Sequence, residues 1–183
     1  MVRVLHIFHN MGNGGIENFV MNYYRFIDRQ KVQFDFLTSV EDQGYFDEEI
    51  LSMGGKIFHA YPFRKNPIKN YKDIARIVGE NNYTVVHRHT GSAFGYFDLR
   101  AARRGGAKIP YYASSASHAG NKIVHNISKN LLKIDCIKFA CSKEAGEFLF
   151  GKDEKNIIII NNAIDAEKFC FSAEKEHIYV KIM

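Results

Sequence analysis

The chain has 183 residues, 46% of them hydrophobic and 25% charged, with 14 Gly and 3 Pro. That is the make-up of one ordinary globular domain that can bury a core without disulfides or metal, and it excludes collagen-like, low-complexity and disordered chains. Lys and Arg number 25 against 20 Asp and Glu, a formal charge of +5; the mild excess favours anionic partners such as phosphates or lipid head groups and gives no reason to expect nucleic acid.

Taken in chain order, the first apolar run, 2–8, reads as a strand. It is too short, and too polar at His6 and His9, for the hydrophobic core of a secretory leader. A glycine-rich turn, His9-Asn10-Met11-Gly12-Asn13-Gly14-Gly15, leads into Ile16, Phe19, Val20, Tyr23, Tyr24 and Ile27, whose spacing predicts a helix with one apolar stripe. Strands are expected at 32–37, 56–59, 84–87, 109–113, 136–140 and 156–160. A second amphipathic helix carries Ile68, Tyr71, Ile74, Ala75 and Val78 after Pro67, a residue suited to a first helical turn. Ser142, followed by Lys143-Glu144, reads as the N-cap of a third. The most apolar run, 157–160, ends at Asn161-Asn162 and reads as a buried strand, far short of the roughly 18 to 20 residues of a membrane span. Cys136, Cys141 and Cys170 make no C-x-x-C pair, so free thiols in a reducing cytoplasm are expected. Short apolar runs alternating with helices predict an α/β fold: a Rossmann-like parallel sheet of about seven strands with helices on both faces.

In such sheets ligands gather outside the carboxyl ends of the strands, so the residues that follow each strand are the candidates for function. Gly14 and Gly15 open the first helix, where glycines admit an anion close to unpaired N–H groups. A tight turn needing positive φ explains the same glycines. The dinucleotide pattern G-x-G-x-x-G would need glycine at position 17, where Glu17 stands. His87 and His89 alternate onto one face at the end of their strand. With no carboxylate or Cys ligand close in sequence, hydrogen bonding to a substrate hydroxyl, or keeping a loop shaped, is favoured over a metal site. Ser114-Ser115-Ala116-Ser117-His118 offers small hydroxyls and an imidazole, or a plain solvent loop. Cys141-Ser142-Lys143 and Asn161-Asn162-Ala163 close the remaining strands.

The series Val4-Leu5-His6-Ile7, Gly14-Gly15-Ile16-Glu17, Gln33-Phe34-Asp35-Phe36-Leu37, Gly54-Gly55-Lys56-Ile57, Val85-Val86-His87-Arg88-His89, Phe139-Ala140-Cys141-Ser142-Lys143-Glu144 and Ile160-Asn161-Asn162-Ala163-Ile164-Asp165 resembles the N-terminal, acceptor-side domain of a GT-B glycosyltransferase of family four. These are retaining enzymes of the kind found in capsule and exopolysaccharide biosynthesis. The resemblance implies a Gly14-Gly15 loop beside the donor diphosphate, His118 and His89 as the imidazoles nearest the reacting sugar, and Asn10, Glu17, His87, Ser117, Ser142 and Asn161 as further substrate contacts. It implies no metal and no cofactor. The usual Pro-Asn-Gly is replaced by Asn161-Asn162-Ala163, and the segment before His118 departs from the commoner His-Ser-His.

On this reading residues 1–165 are the Rossmann-like domain and 166–183 a hinge-like tail. The donor-binding domain with its E-x7-E element is absent, and the chain is expected to be inactive alone. The partners implied are a nucleotide-sugar donor, a glycan or polyprenyl-linked acceptor, and a donor domain acting in trans. Arg64, Lys65, Lys69 and Lys72, among Tyr61, Phe63, Ile68 and Tyr71, suggest peripheral contact with the inner membrane face, against the plainer reading of a solvated loop and helix start. The rival readings are a nucleotide- or NAD-binding Rossmann enzyme, using Asp35 on a ribose, and a non-catalytic subunit of a split glycosyltransferase.

Overall fold

The computed structural model describes residues 1–114 and 122–162, and in them strands and helices alternate without exception. They are β1 (Val2–Ile7), α1 (Gly15–Phe26), β2 (Val32–Thr38), α2 (Asp47–Ser52), β3 (Ile57–His59), α3 (Pro67–Glu80) and β4 (Val85–His89), followed by α4 (Gly95–Arg104), β5 (Ile109–Ser114), α5 (Lys122–Leu132), β6 (Ile137–Ala140), α6 (Lys143–Phe150) and β7 (Ile157–Ile159). All seven strands are parallel, in the order β3-β2-β1-β4-β5-β6-β7. The chain winds outward from β1 to β3, returns, and winds the other way from β4, so the switch point lies between β1 and β4.

Alternation along the strands divides the core in two. Leu5, Ile7 and Val86 pack with Ile74, Ile77 and Val78 of α3, Leu99 of α4, and Leu149 and Phe150 of α6. On the other face Phe8 and Phe36 pack with Val20, Met21 and Tyr24 of α1 and Ile50 of α2. Helix starts follow local chemistry. Pro67 occupies the first turn of α3 while the Asn66 side chain accepts from the Lys69 N–H, and the Ser142 hydroxyl accepts from the Ala145 N–H at the start of α6.

Arg88, on the α4 side of β4, is a clamp beneath the strand ends. It pairs with Asp98 of α4 at 2.5 Å and donates to the carbonyls of Ile7 and His89 at 3.0 and 2.7 Å. Asp35 is fully buried, holds Arg3 through both carboxylate oxygens, and accepts from the Tyr83 hydroxyl and the Lys56 N–H.

Three expectations need correction. The fourth strand continues through His89, because His87, Arg88 and His89 all pair with β5. The apolar run of β7 is a half-exposed edge and not a buried strand: Ile158 and Ile159 are 49% and 44% exposed, since among the described residues β6 is the only strand beside it. On the helices, Tyr23 and Ile68 belong to the predicted stripes yet face solvent, while Met21 and Ile77 are buried in their place.

Candidate functional site

A cavity of about 290 Å³ opens beside the switch point at the carboxyl edge of the sheet. Gly15, Ile16 and Phe19 of α1 form one wall. His87 and His89 of β4, Ala113 of β5, Phe139 and Ala140 of β6, and the exit residues Cys141, Ile160 and Asn162 form the rest. Most of this lining is apolar, and besides Cys141 and Asn162 its polar groups fall at two places; small-molecule sites commonly carry few.

The first polar place is the start of α1. Gly14, the N-cap, is extended (φ −92°, ψ 173°), and no side chain caps the first N–H groups of this twelve-residue helix by a hydrogen bond, although the Glu17 carboxylate lies beside Gly14. A Cβ placed on Gly15 would meet nothing within 4 Å. Positive φ is not what these glycines provide: among the described residues only Gly54, Gly106, Gly151 and Asn82 adopt it. Room for a close approach is the property that remains.

The second is a cluster of three imidazoles. Parallel register sets His6 of β1 beside His87, and the His6 Nδ1 lies 2.9 Å from the His89 Nε2, with the ring planes 19° apart. One ring donates and the other accepts. Phe8 stacks on His89, and Phe34 lies 4.2 Å from the His6 ring. The Nε2 atoms of His6 and His87 are buried without a hydrogen-bond partner among the described residues. Burial holds His6 and His89 well below the ordinary imidazole value, with repulsion from the neighbouring imidazoles adding to it, and pushes His87 down to about 3. All three rings are therefore neutral near pH 7.

Of the residues singled out in the sequence, Gly15, His87 and His89 line this cavity together. Gly14, the cap of α1, lies outside the lining, as do Asn10, Glu17 and Asn161. The hydroxyl of Ser142 is engaged in capping α6, and its neighbour Cys141 faces the cavity instead. Ser117, His118 and the 166–183 tail fall outside the described residues. Sequence reasoning missed His6, Phe19 and Phe139. His6 carries no local signal, because a histidine inside an apolar strand reads as core. Asp35 cannot serve a ribose, since its carboxylate is spent on Arg3, Tyr83 and Lys56.

A cavity at the switch point with a glycine-opened helix is common to many nucleotide-linked folds, and kinship decides among them. The profile of glycosyltransferase family 4 matches residues 13–168. The chain belongs to that family. It is 35% identical over 181 residues to the candidate glycosyltransferase EpsF of Bacillus subtilis strain 168, a match that covers 91% of this chain and 46% of EpsF. Among solved structures, a glycosyltransferase from Rickettsia africae superposes with a TM-score of 0.69 at 17% identity, covering 95% of this chain and 47% of that one. MurG of Acinetobacter baumannii does so with a TM-score of 0.62 at 12% identity, covering 90% and 46%. The chain thus spans about half the length of the relatives it matches. Its fold is that of the N-terminal domain of a GT-B glycosyltransferase.

Proposed function

We propose that the chain forms the acceptor-side wall of a glycosyltransferase cleft, in which a sugar passes from a nucleotide-sugar donor to a glycan or lipid-linked acceptor with retention of configuration. The observation that carries this reading is the cavity itself, whose lining joins Gly15, in the first turn of a helix with no side-chain cap, to neutral imidazoles at His87 and His89. The α1 start suits the donor diphosphate, since aligned N–H groups and the helix dipole favour negative charge. A neutral imidazole at His89 suits a sugar or acceptor hydroxyl, to which it can donate or from which it can accept. His118 is assigned the place nearest the reacting carbon by family resemblance. The diphosphate leaving group takes the acceptor proton on the same face of the sugar. The protein contributes orientation and stabilises the charge that develops on the phosphate.

The apolar wall of Ile16, Phe19 and Phe139 suits the lipid portion of a polyprenyl-linked acceptor. The β3–α3 connection emerges on the same carboxyl edge, with Arg64, Lys65, Lys69, Lys72 and Ile68 exposed, which supports peripheral membrane contact. Among the described residues no helix is long and apolar enough to cross a membrane. The polypeptide 1–183 by itself presents one open wall, so donor affinity no better than about millimolar and no turnover above background are expected of it. Activity is expected when a donor-binding domain is supplied by fusion or in trans.

The test is titration of uridine diphosphate into the labelled chain, followed by amide chemical shifts. Shifts should appear in residues 10–18 and vanish in Gly15→Val, whose side chain enters open space and leaves the fold intact. Wild-type spectra unchanged in that segment would refute the diphosphate site.

A further inference from the structure

We propose that His6, His87 and His89 bind a single divalent transition-metal ion, best matched by Zn²⁺, with one coordination position open to the cleft. This does not depend on the glycosyl-transfer reading, which calls for no metal. Each histidine offers one ring nitrogen, and the three nitrogens lie within 4.8 Å of one another. Two imidazole nitrogens on a tetrahedral Zn²⁺ with bonds of about 2.0–2.1 Å sit about 3.4 Å apart. The His6–His89 pair, at 2.9 Å, needs to part and turn toward a shared point, and the His87 ring, 4.1 Å from that of His89, to rotate inward.

The chemistry of the donor set selects the ion. Among the described residues no Asp or Glu lines the cavity, so they offer hard oxygen-seeking ions such as Mg²⁺ no carboxylate, whereas an all-imidazole site suits Zn²⁺, Ni²⁺ and Cu²⁺. Burial keeps the rings in the neutral, ligating form near pH 7. No proton has to leave: the donor of the His6–His89 hydrogen bond transfers its hydrogen to its other ring nitrogen, freeing the facing nitrogen for the metal. The buried, unpartnered Nε2 of His87 is an unsatisfied polar group that such a ligand would explain. Phe8, Phe34 and Phe36 pack around His6 and His89 and close the inner side, while His87 and His89 border the cavity. The fourth position therefore faces the cleft. With no carboxylate to offset the ion's charge, an anionic ligand such as hydroxide or a phosphate oxygen is the natural occupant.

The full 183-residue chain, stripped with chelator, is dialysed against Zn²⁺ and, separately, Co²⁺. One equivalent of Zn²⁺ should be retained, and Co²⁺ should show the intense visible bands of a four-coordinate centre. His87→Ala and His89→Ala should each lower affinity at least about ten-fold, because loss of a direct ligand costs no less than loss of an outer-shell partner. His9→Ala, at an exposed histidine beyond β1, should bind as wild type. Circular dichroism checks that the variants fold, and the wild-type Co²⁺ spectrum decides the matter even if they do not. Substoichiometric Zn²⁺, a six-coordinate Co²⁺ spectrum, or undiminished binding in folded His87→Ala and His89→Ala would each overturn the proposal.

Discussion

Acidification from about pH 7 to about pH 5.5 should destabilise this chain through the imidazole cluster. An exposed histidine in the unfolded chain titrates near 6.5, whereas burial holds His6 and His89 well below that value and His87 at about 3. Below about pH 6.5 the unfolded chain thus binds protons that the folded chain refuses, and stability falls as pH falls. Over this interval each neutral imidazole costs about 1.2 kcal/mol, or about 4 kcal/mol for the three together. That is a large share of the roughly 5–15 kcal/mol that holds a domain folded. Ordinary carboxylates titrate near 4, below the window, so they do not mask the effect.

The assay is urea unfolding of the chelator-treated chain, followed by circular dichroism at several pH values. The midpoint should fall while the slope m stays constant, since the same surface is exposed at each pH. His87→Asn should remove about a third of the pH dependence. A stability that is flat across the interval would refute the argument, because it would mean the three rings titrate in the folded protein as they do in the unfolded chain. A stability that rises on acidification would mean they are already charged there.

Asp98→Ala should cost about 3–5 kcal/mol in the same assay, because it strands a buried guanidinium: Arg88 and Asp98 are only 13% and 12% exposed. A loss under about 1 kcal/mol would show that the clamp under Ile7 and His89 is dispensable. The basic segment makes a separate prediction: with about 1 kcal/mol for each cation near an anionic surface, Arg64, Lys65, Lys69 and Lys72 should give weak, salt-sensitive sedimentation with anionic vesicles. No binding at low salt would rule out the membrane contact.

Much of this molecule was legible in one dimension. Apolar runs four to eight residues long, separated by helical periodicity, already required a parallel sheet covered on both faces, because each run and each stripe must bury its apolar side against the other kind of element. The rule that ligands meet such sheets at strand ends then pointed to Gly15, His87 and His89, and those three do share a cavity. Caps were equally local: Pro67 and Ser142 act within one helical turn, so their roles can be read from neighbours in sequence, and the Asn66 cap, which went unread, is equally local.

What depended on strand order could not be read this way. Ile158 and Ile159 resemble any buried strand, and only their place at the end of the seven-strand series leaves them half exposed. His6 is the sharper case. Its partner His89 is 83 residues distant in sequence, and nothing near position 6 announces an imidazole cluster. The pairing exists because β4 returns to lie beside β1, in the register that sets His6 against His87. The residue types and their periodicity determined the layers of this protein and two of its three clustered histidines. Tertiary structure alone joined the third, because lateral neighbours in a parallel sheet are set by crossovers whose length and destination leave no mark on the strands they connect.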